Sequence, residues 1–134
     1  MKHLFYLSLC AVLFSATACK KDKDEAETPK SDPVFTLSAP LENQVYGYGD
    51  TIRINGTVTA DYEMHGYNVR LYNITSGMNV LNQGYHVHGD SFVISEIWKN
   101  TVSDTSQFKI IIDAAIDHEG TIASSERAIT CNPQ

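Results

Sequence analysis

Four histidines lie between residues 65 and 118 of this chain: His65, His86, His88 and His118. Neutral imidazole is a ligand that zinc, copper and nickel prefer in proteins. His86 and His88 are two residues apart in a segment that we predict to be a strand, so their side chains would project from the same face. This His-x-His pair is the most specific local signal in the chain, and it predicts a site for a small cation.

The elements that would position these histidines are strands. Alternating apolar and polar residues, punctuated by turn residues, predict seven strands, at 34–39, 51–58, 67–74, 78–87, 91–98, 107–117 and 121–130. If successive strands run up and down, all four histidines fall at the same end of the domain. Three or four imidazoles from separate loops could then complete a zinc or copper shell. The alternative is that histidines are ordinary residues of polar loops and bind nothing.

Acidic residues near the histidines could add ligands or orient the imidazoles from a second layer. The candidates are Asp61, Glu63, Asp90, Asp117 and Glu119. A calcium site built from Asp113, Asp117 and Glu119 is a weaker hypothesis, because their spacing matches no calcium-binding loop.

Motifs for catalysis are missing from the sequence. It contains no Gly-x-Ser-x-Gly, P-loop or His-Glu-x-x-His pattern. Cys131 would lie near the lower end of the last strand, away from the histidines, which argues against a cysteine-histidine pair. We therefore predict a protein that is not an enzyme.

Aromatic residues could stack on sugars, but strands favour them in any case, so we expect core or sheet-surface roles for Trp98 and for the tyrosines at 46, 48, 62, 67, 72 and 85.

Charge and length restrict the remaining functions. From Pro33 onward the chain has five basic and eleven acidic residues. Nucleic-acid binding needs a basic stripe, which this segment does not have, whereas an acidic surface favours cations. Roughly 100 residues suffice for one domain with a single core. Cys131 is the one cysteine in that domain, so no disulfide forms within it.

The N-terminus has the layout of a secretory signal peptide. A lysine at position 2 precedes an apolar run at 4–14 and small residues at 15–18. The run is shorter than the roughly 20 residues that span a bilayer. Cys19 follows, and the stretch resembles the lipobox of bacterial lipoproteins, although Ala16 stands where the usual pattern prefers leucine. The resemblance implies cleavage before Cys19 and stable anchoring by its acyl chains. The alternative is an ordinary secretory signal with Cys19 as a bystander.

Residues 20–32 carry many charges and no large apolar side chain, which predicts a disordered, flexible tether. This mixed-charge run resembles the export signal of surface lipoproteins in the Bacteroidetes group, and a generic spacer is the alternative. The predicted organisation is a signal peptide at 1–18, a lipidated cysteine and tether at 19–32, and a domain at 33–134. The resemblance implies an outer-membrane lipoprotein of the bacterial cell envelope, periplasmic or surface-exposed, that contacts the membrane through its lipid.

The domain's fold class follows from the strand pattern, which predicts an all-β, seven-stranded antiparallel immunoglobulin-like sandwich. Residues 40–56 (PLENQVYGYGDTIRING) resemble the opening of many bacterial immunoglobulin-like domains, and residues 112–120 (IDAAIDHEG) resemble their late hairpin. This fold hosts many unrelated functions. Two hypotheses remain open. The first is a lipid-anchored domain that binds zinc or copper through its four histidines. The second is a structural or adhesive module that binds protein or glycan without metal.

Overall fold

The computed structural model describes residues 30–134, so the predicted signal peptide, Cys19 and most of the predicted tether lie outside the described residues. The described chain is all-β, as predicted. Among these residues, no helix is long and apolar enough to cross a membrane. The eight strands are β1 (Val34–Ala39), β2 (Gln44–Tyr46), β3 (Thr51–Met64), β4 (Tyr67–Asn73), β5 (Met78–Tyr85), β6 (Gly89–Lys99), β7 (Ser106–Ala115) and β8 (Ile122–Cys131).

The strands form a sandwich of two sheets, one of three strands in the order β1-β3-β6 and one of five in the order β2-β8-β7-β4-β5. The prediction of seven antiparallel strands is corrected in one respect, because β2 is an eighth strand and pairs with β8 in parallel. It lies between the predicted strands at 34–39 and 51–58. Three residues are too few to show an alternating pattern, so the sequence carried no signal for β2.

The core lies between the sheets and is built by alternation along the strands. In β7, the inward side chains Phe108, Ile110, Ile112 and Ala114 are fully buried. Trp98 packs against Phe108 with ring centroids 5.4 Å apart, which supports its predicted core role. Cys131 pairs with Ser106 at the start of β7, far along that strand from the turn that holds His118. Its thiol is fully buried, and burial raises its pKa to about 11.

Two of the differences between predicted and observed strand boundaries matter for the histidines. β3 continues to Met64 through a bulge, since Thr59 pairs with Ser91 and Met64 pairs with Gly89. The four residues at 60–63 therefore lie opposite a single residue of β6 and carry Glu63 towards His65. β5 ends at Tyr85, so residues 86–88 form the connection between the sheets. The prediction that His86 and His88 project from one face of a strand is therefore wrong, because neither residue lies on a strand.

The chain enters the domain at the same end as this bulge. The Ser31 hydroxyl donates to Asp61 Oδ1 at 2.7 Å. The Lys30 ammonium donates to the Ile116 carbonyl at 3.4 Å and lies 5.1 Å from the centre of the Tyr62 ring. The last residues of the predicted tether thus contact the bulge of β3.

Candidate metal centre

Three connections meet at one end of the sandwich: the β3–β4 turn, the β5–β6 connection and the β7–β8 turn. Backbone hydrogen bonds tie the first to the third, because the His65 amide donates to the Ala115 carbonyl at 2.8 Å and the Ala115 amide donates to the Gly66 carbonyl at 2.9 Å. Gly66 also brings the β3–β4 turn close to β5. A Cβ atom at Gly66 would lie 2.4 Å from the Tyr85 carbonyl oxygen. These main-chain contacts hold the turns of His65 and His118 together and place the β3–β4 turn beside the end of β5, from which the connection with His88 leads.

The geometry of three side chains suits a single metal ion. His65 Nδ1 and His88 Nδ1 are 3.1 Å apart, and His88 Nδ1 is 3.4 Å from Glu63 Oε1. Ligand atoms about 2.0–2.2 Å from a tetrahedral zinc ion are about 3.3–3.6 Å apart, close to these separations. Among residues 30–134, these three side chains form the one group of His, Cys, Asp or Glu whose ligand atoms all lie within 4.8 Å of one another. They could hold a metal ion.

The other two histidines surround this group at different distances. The His118 ring lies 3.8 Å from the His65 ring and 5.8 Å from the His88 ring, measured between centroids. The His86 ring meets the His88 ring edge-on at 5.2 Å. The structure thus places all four histidines at one end, as the alternation of strand direction predicted. The His118 ring therefore lies against His65, whereas the His86 ring contacts the group through His88.

Of the five candidate acidic residues, Glu63 is the one whose contact with an imidazole is seen, at 3.4 Å from His88 Nδ1, among residues 30–134. Asp117 instead shapes the turn that carries His118, because its Oδ1 accepts hydrogen bonds from the amides of Glu119 at 2.9 Å and Thr121 at 3.0 Å. Hydrogen bonds from Thr121, foremost that of its side chain, lower the pKa of Asp117. Asp113 pairs with Arg70 at 2.7 Å and accepts from the Ser124 hydroxyl at 2.6 Å. The two aspartates of the calcium hypothesis therefore have separate partners.

His65 is prepared for metal binding by its surroundings. Partial burial, followed by the neighbouring His118 and His88 rings, lowers the pKa of His65 from its usual 6.5. The lowered pKa keeps this imidazole neutral at neutral pH, which is the form that binds metal. Protonation costs more in the folded than in the unfolded chain, so this residue destabilises the fold as pH falls from 6.5 through the lowered pKa.

The lowered pKa of His65 leads to a prediction for the chain without metal. In a nuclear magnetic resonance titration with chelator present, we expect the His65 ring to titrate with a midpoint below 6.5. Replacing His118 with alanine should move that midpoint upward, because it removes both burial and a neighbouring ring that becomes cationic. A His65 midpoint at or above 6.5, unchanged in the His118→Ala variant, would contradict the described packing.

Comparison with known proteins does not assign the chain to a family. No protein-family model and no curated protein matches it. The fibronectin(III)-like modules of Clostridium thermocellum CbhA are 14% identical, with a TM-score of 0.47 over 74% of this chain and 96% of that chain. A CARDB domain from Pyrococcus furiosus, crystallised in complex with di-metal ions, is 14% identical, with a TM-score of 0.44 over 78% of this chain and 99% of that chain. These likenesses identify neither a family nor a function.

Proposed function

We propose that this domain binds one transition-metal ion, zinc or copper, through Glu63, His65 and His88, with His118 as a fourth ligand. The observation that carries the proposal is the 3.1 Å separation of the His65 and His88 Nδ1 atoms beside the Glu63 carboxylate. Imidazole nitrogens select zinc or copper over calcium and magnesium, which prefer oxygen ligands. His86 lies outside this set and contacts it through the His88 ring.

The site's surroundings support binding rather than catalysis. Glu63 and His88 are exposed and His65 is half-buried, so an ion can enter and leave without opening the core. Burial makes the Cys131 thiol a poor nucleophile, and it lies at the other end of the sandwich. A domain of this kind would buffer zinc or copper or pass it to another protein.

Isothermal titration of the chelator-stripped full chain with zinc and copper salts tests the proposal. We expect one ion per chain with a dissociation constant in the micromolar range or tighter. His65→Ala and His88→Ala should each weaken binding about 100-fold, since loss of a residue that only supports a ligand already costs about 10–100-fold. His118→Ala should cost more than His86→Ala.

Asp104→Ala is the matched control for these titrations, because Asp104 is exposed and lies in the β6–β7 connection, away from the histidines. Its affinity should equal that of the natural chain. If no heat of binding appears at micromolar metal, or if His65→Ala and His88→Ala bind as tightly as the control, the metal site does not exist. The domain would then fit the rival hypothesis of a structural or adhesive module for protein or glycan.

We further propose that Cys19 anchors the domain to the bacterial envelope as a lipoprotein. The support is the signal-like segment that precedes Cys19 and the charged segment that follows it. Metabolic labelling with a palmitate analogue should mark the natural chain and fail in Cys19→Ser. Continued labelling of that variant would show that lipid is attached elsewhere, and unlabelled natural chain would exclude the anchor.

A further inference from the structure

The β5 edge of the larger sheet differs in charge from the rest of the chain. Between Arg70 and Asp90, 19 consecutive residues contain no Asp, Glu, Lys or Arg, the longest such run in a chain of net charge −6. β5 lies entirely within it. The same run also holds five of the twelve exposed large hydrophobic side chains among the described residues, at Ile74, Met78, Val80, Tyr85 and Val87.

Edge strands with free backbone groups can pair with other chains, and proteins usually block them with charges, prolines or very short length. The other three edges in residues 30–134 are blocked in these ways. β1 is bracketed by prolines at 33 and 40, and Arg127 donates to the carbonyls of Leu37 at 2.9 Å and Pro40 at 2.6 Å. β2 has three residues, and β6 carries Asp90, Glu96 and Lys99.

β5 has no charged residue and no proline. It is eight residues long and, among residues 30–134, pairs with β4 alone. One bulge interrupts it, at Val80 opposite the step from Leu71 to Tyr72. Seven of its eight residues are exposed. The backbone groups along its outer side therefore form an accessible and uncharged row.

We propose that β5 is a self-association edge at which a second copy of this chain adds its own β5 in antiparallel orientation. Two chains of net charge −6 repel each other, and contact through β5 joins strands that carry no charged side chain of their own, with Glu96 of β6 accepting a hydrogen bond from the Tyr85 hydroxyl. A two-fold axis through the Asn82 position would place Asn82 of one copy opposite Asn82 of the other. Because Val80 is the extra residue of a bulge, Met78 of one copy would then lie opposite Tyr85 of the other. Thioether sulfur packs favourably on aromatic rings. The resulting sheet would be continuous across both copies.

This proposal is independent of the metal site. The salt dependence of binding distinguishes a second copy of the chain from the alternative partner for such an edge, a basic peptide. Screening weakens repulsion between the two acidic domains, so added salt should tighten self-association. A basic peptide that added a strand to β5 would bind more weakly in salt. A chelator should leave the association unchanged, because no metal lies in the contact.

Sedimentation velocity of the full chain in mild detergent, with chelator present, tests the proposal. We expect a dimer with a dissociation constant in the micromolar range. Asn82→Lys and Asn82→Glu each place like charges face to face across the axis and should each weaken dimerisation by at least about tenfold. An equimolar mixture of the two variants should restore the dimer, because the charges then attract.

Ser95→Lys is the matched control, since Ser95 is an exposed strand residue on the charged β6 edge. That variant should remain as dimeric as the natural chain. A natural chain that stays monomeric in high salt would overturn the proposal. Asn82 variants that dimerise like the control, or a mixture that fails to recover, would also overturn it, because the contact would then lie elsewhere.

Discussion

Replacing Gly66 with alanine is expected to weaken metal binding and to destabilise the fold in one step. Gly66 adopts a positive φ of 137°, and a Cβ atom there would lie 2.4 Å from the Tyr85 carbonyl oxygen. The β3–β4 turn would have to move away from β5, and this movement would separate His65 from the segment that carries His88. We expect a loss of about 3 kcal/mol in the free energy of unfolding, from backbone strain and from the displaced strand pairing.

Thermal unfolding and zinc titration measure the two effects of this substitution. A loss of about 3 kcal/mol lowers the midpoint of a domain of roughly 100 residues by about 12–24 °C. Gly84→Ala is the matched control, because Gly84 lies in β5 without a positive φ and the nearest atom to its added Cβ is 3.9 Å away. A Gly66→Ala variant that melts and binds zinc like this control would show that the close approach to Tyr85 does not hold the site.

Asn100→Ala should cost about 3–5 kcal/mol of stability, the largest effect we expect from a single substitution away from the histidines. Asn100 is fully buried at the opposite end of the sandwich. Its Nδ2 donates to the carbonyls of Gly47 at 2.8 Å and Asn132 at 2.9 Å, and its Oδ1 accepts from the Val102 amide at 3.2 Å. Alanine would leave these three backbone groups without that partner, at about 1–3 kcal/mol for each group that stays unsatisfied.

Chemical denaturation of Asn100→Ala beside Asn79→Ala isolates this effect, because Asn79 is an exposed asparagine of β5. The exposed replacement should change stability by less than about 0.5 kcal/mol. Zinc affinity of Asn100→Ala under folding conditions should equal that of the natural chain, since Asn100 is far from the histidines. A loss below about 1 kcal/mol would show that the three backbone groups find other partners.

The sequence determined the class of fold and the end of the domain at which the histidines lie. The alternation of Phe108, Ile110, Ile112 and Ala114 predicts β7 because a strand with one buried face must repeat every second residue. The common end of the histidines follows from the reversal of direction between successive strands. β2 did not disturb this reversal, since β1 and β3 remain antiparallel.

The tertiary structure alone decided which side chains can share an ion. Glu63 reaches His88 because a bulge at 60–63 lengthens β3, and His65 reaches the β7–β8 turn through backbone bonds to Ala115. Bulges and strand registers depend on how two sheets pack over a common core, so the alternation of residues along one strand does not predict them. The His-x-His pair illustrates the difference. Its spacing correctly indicated the segment that contains a candidate ligand, His88. The pair itself lies in a connection between the two sheets, and the other candidate ligands come from elsewhere: Glu63 from β3 and His65 from the β3–β4 turn.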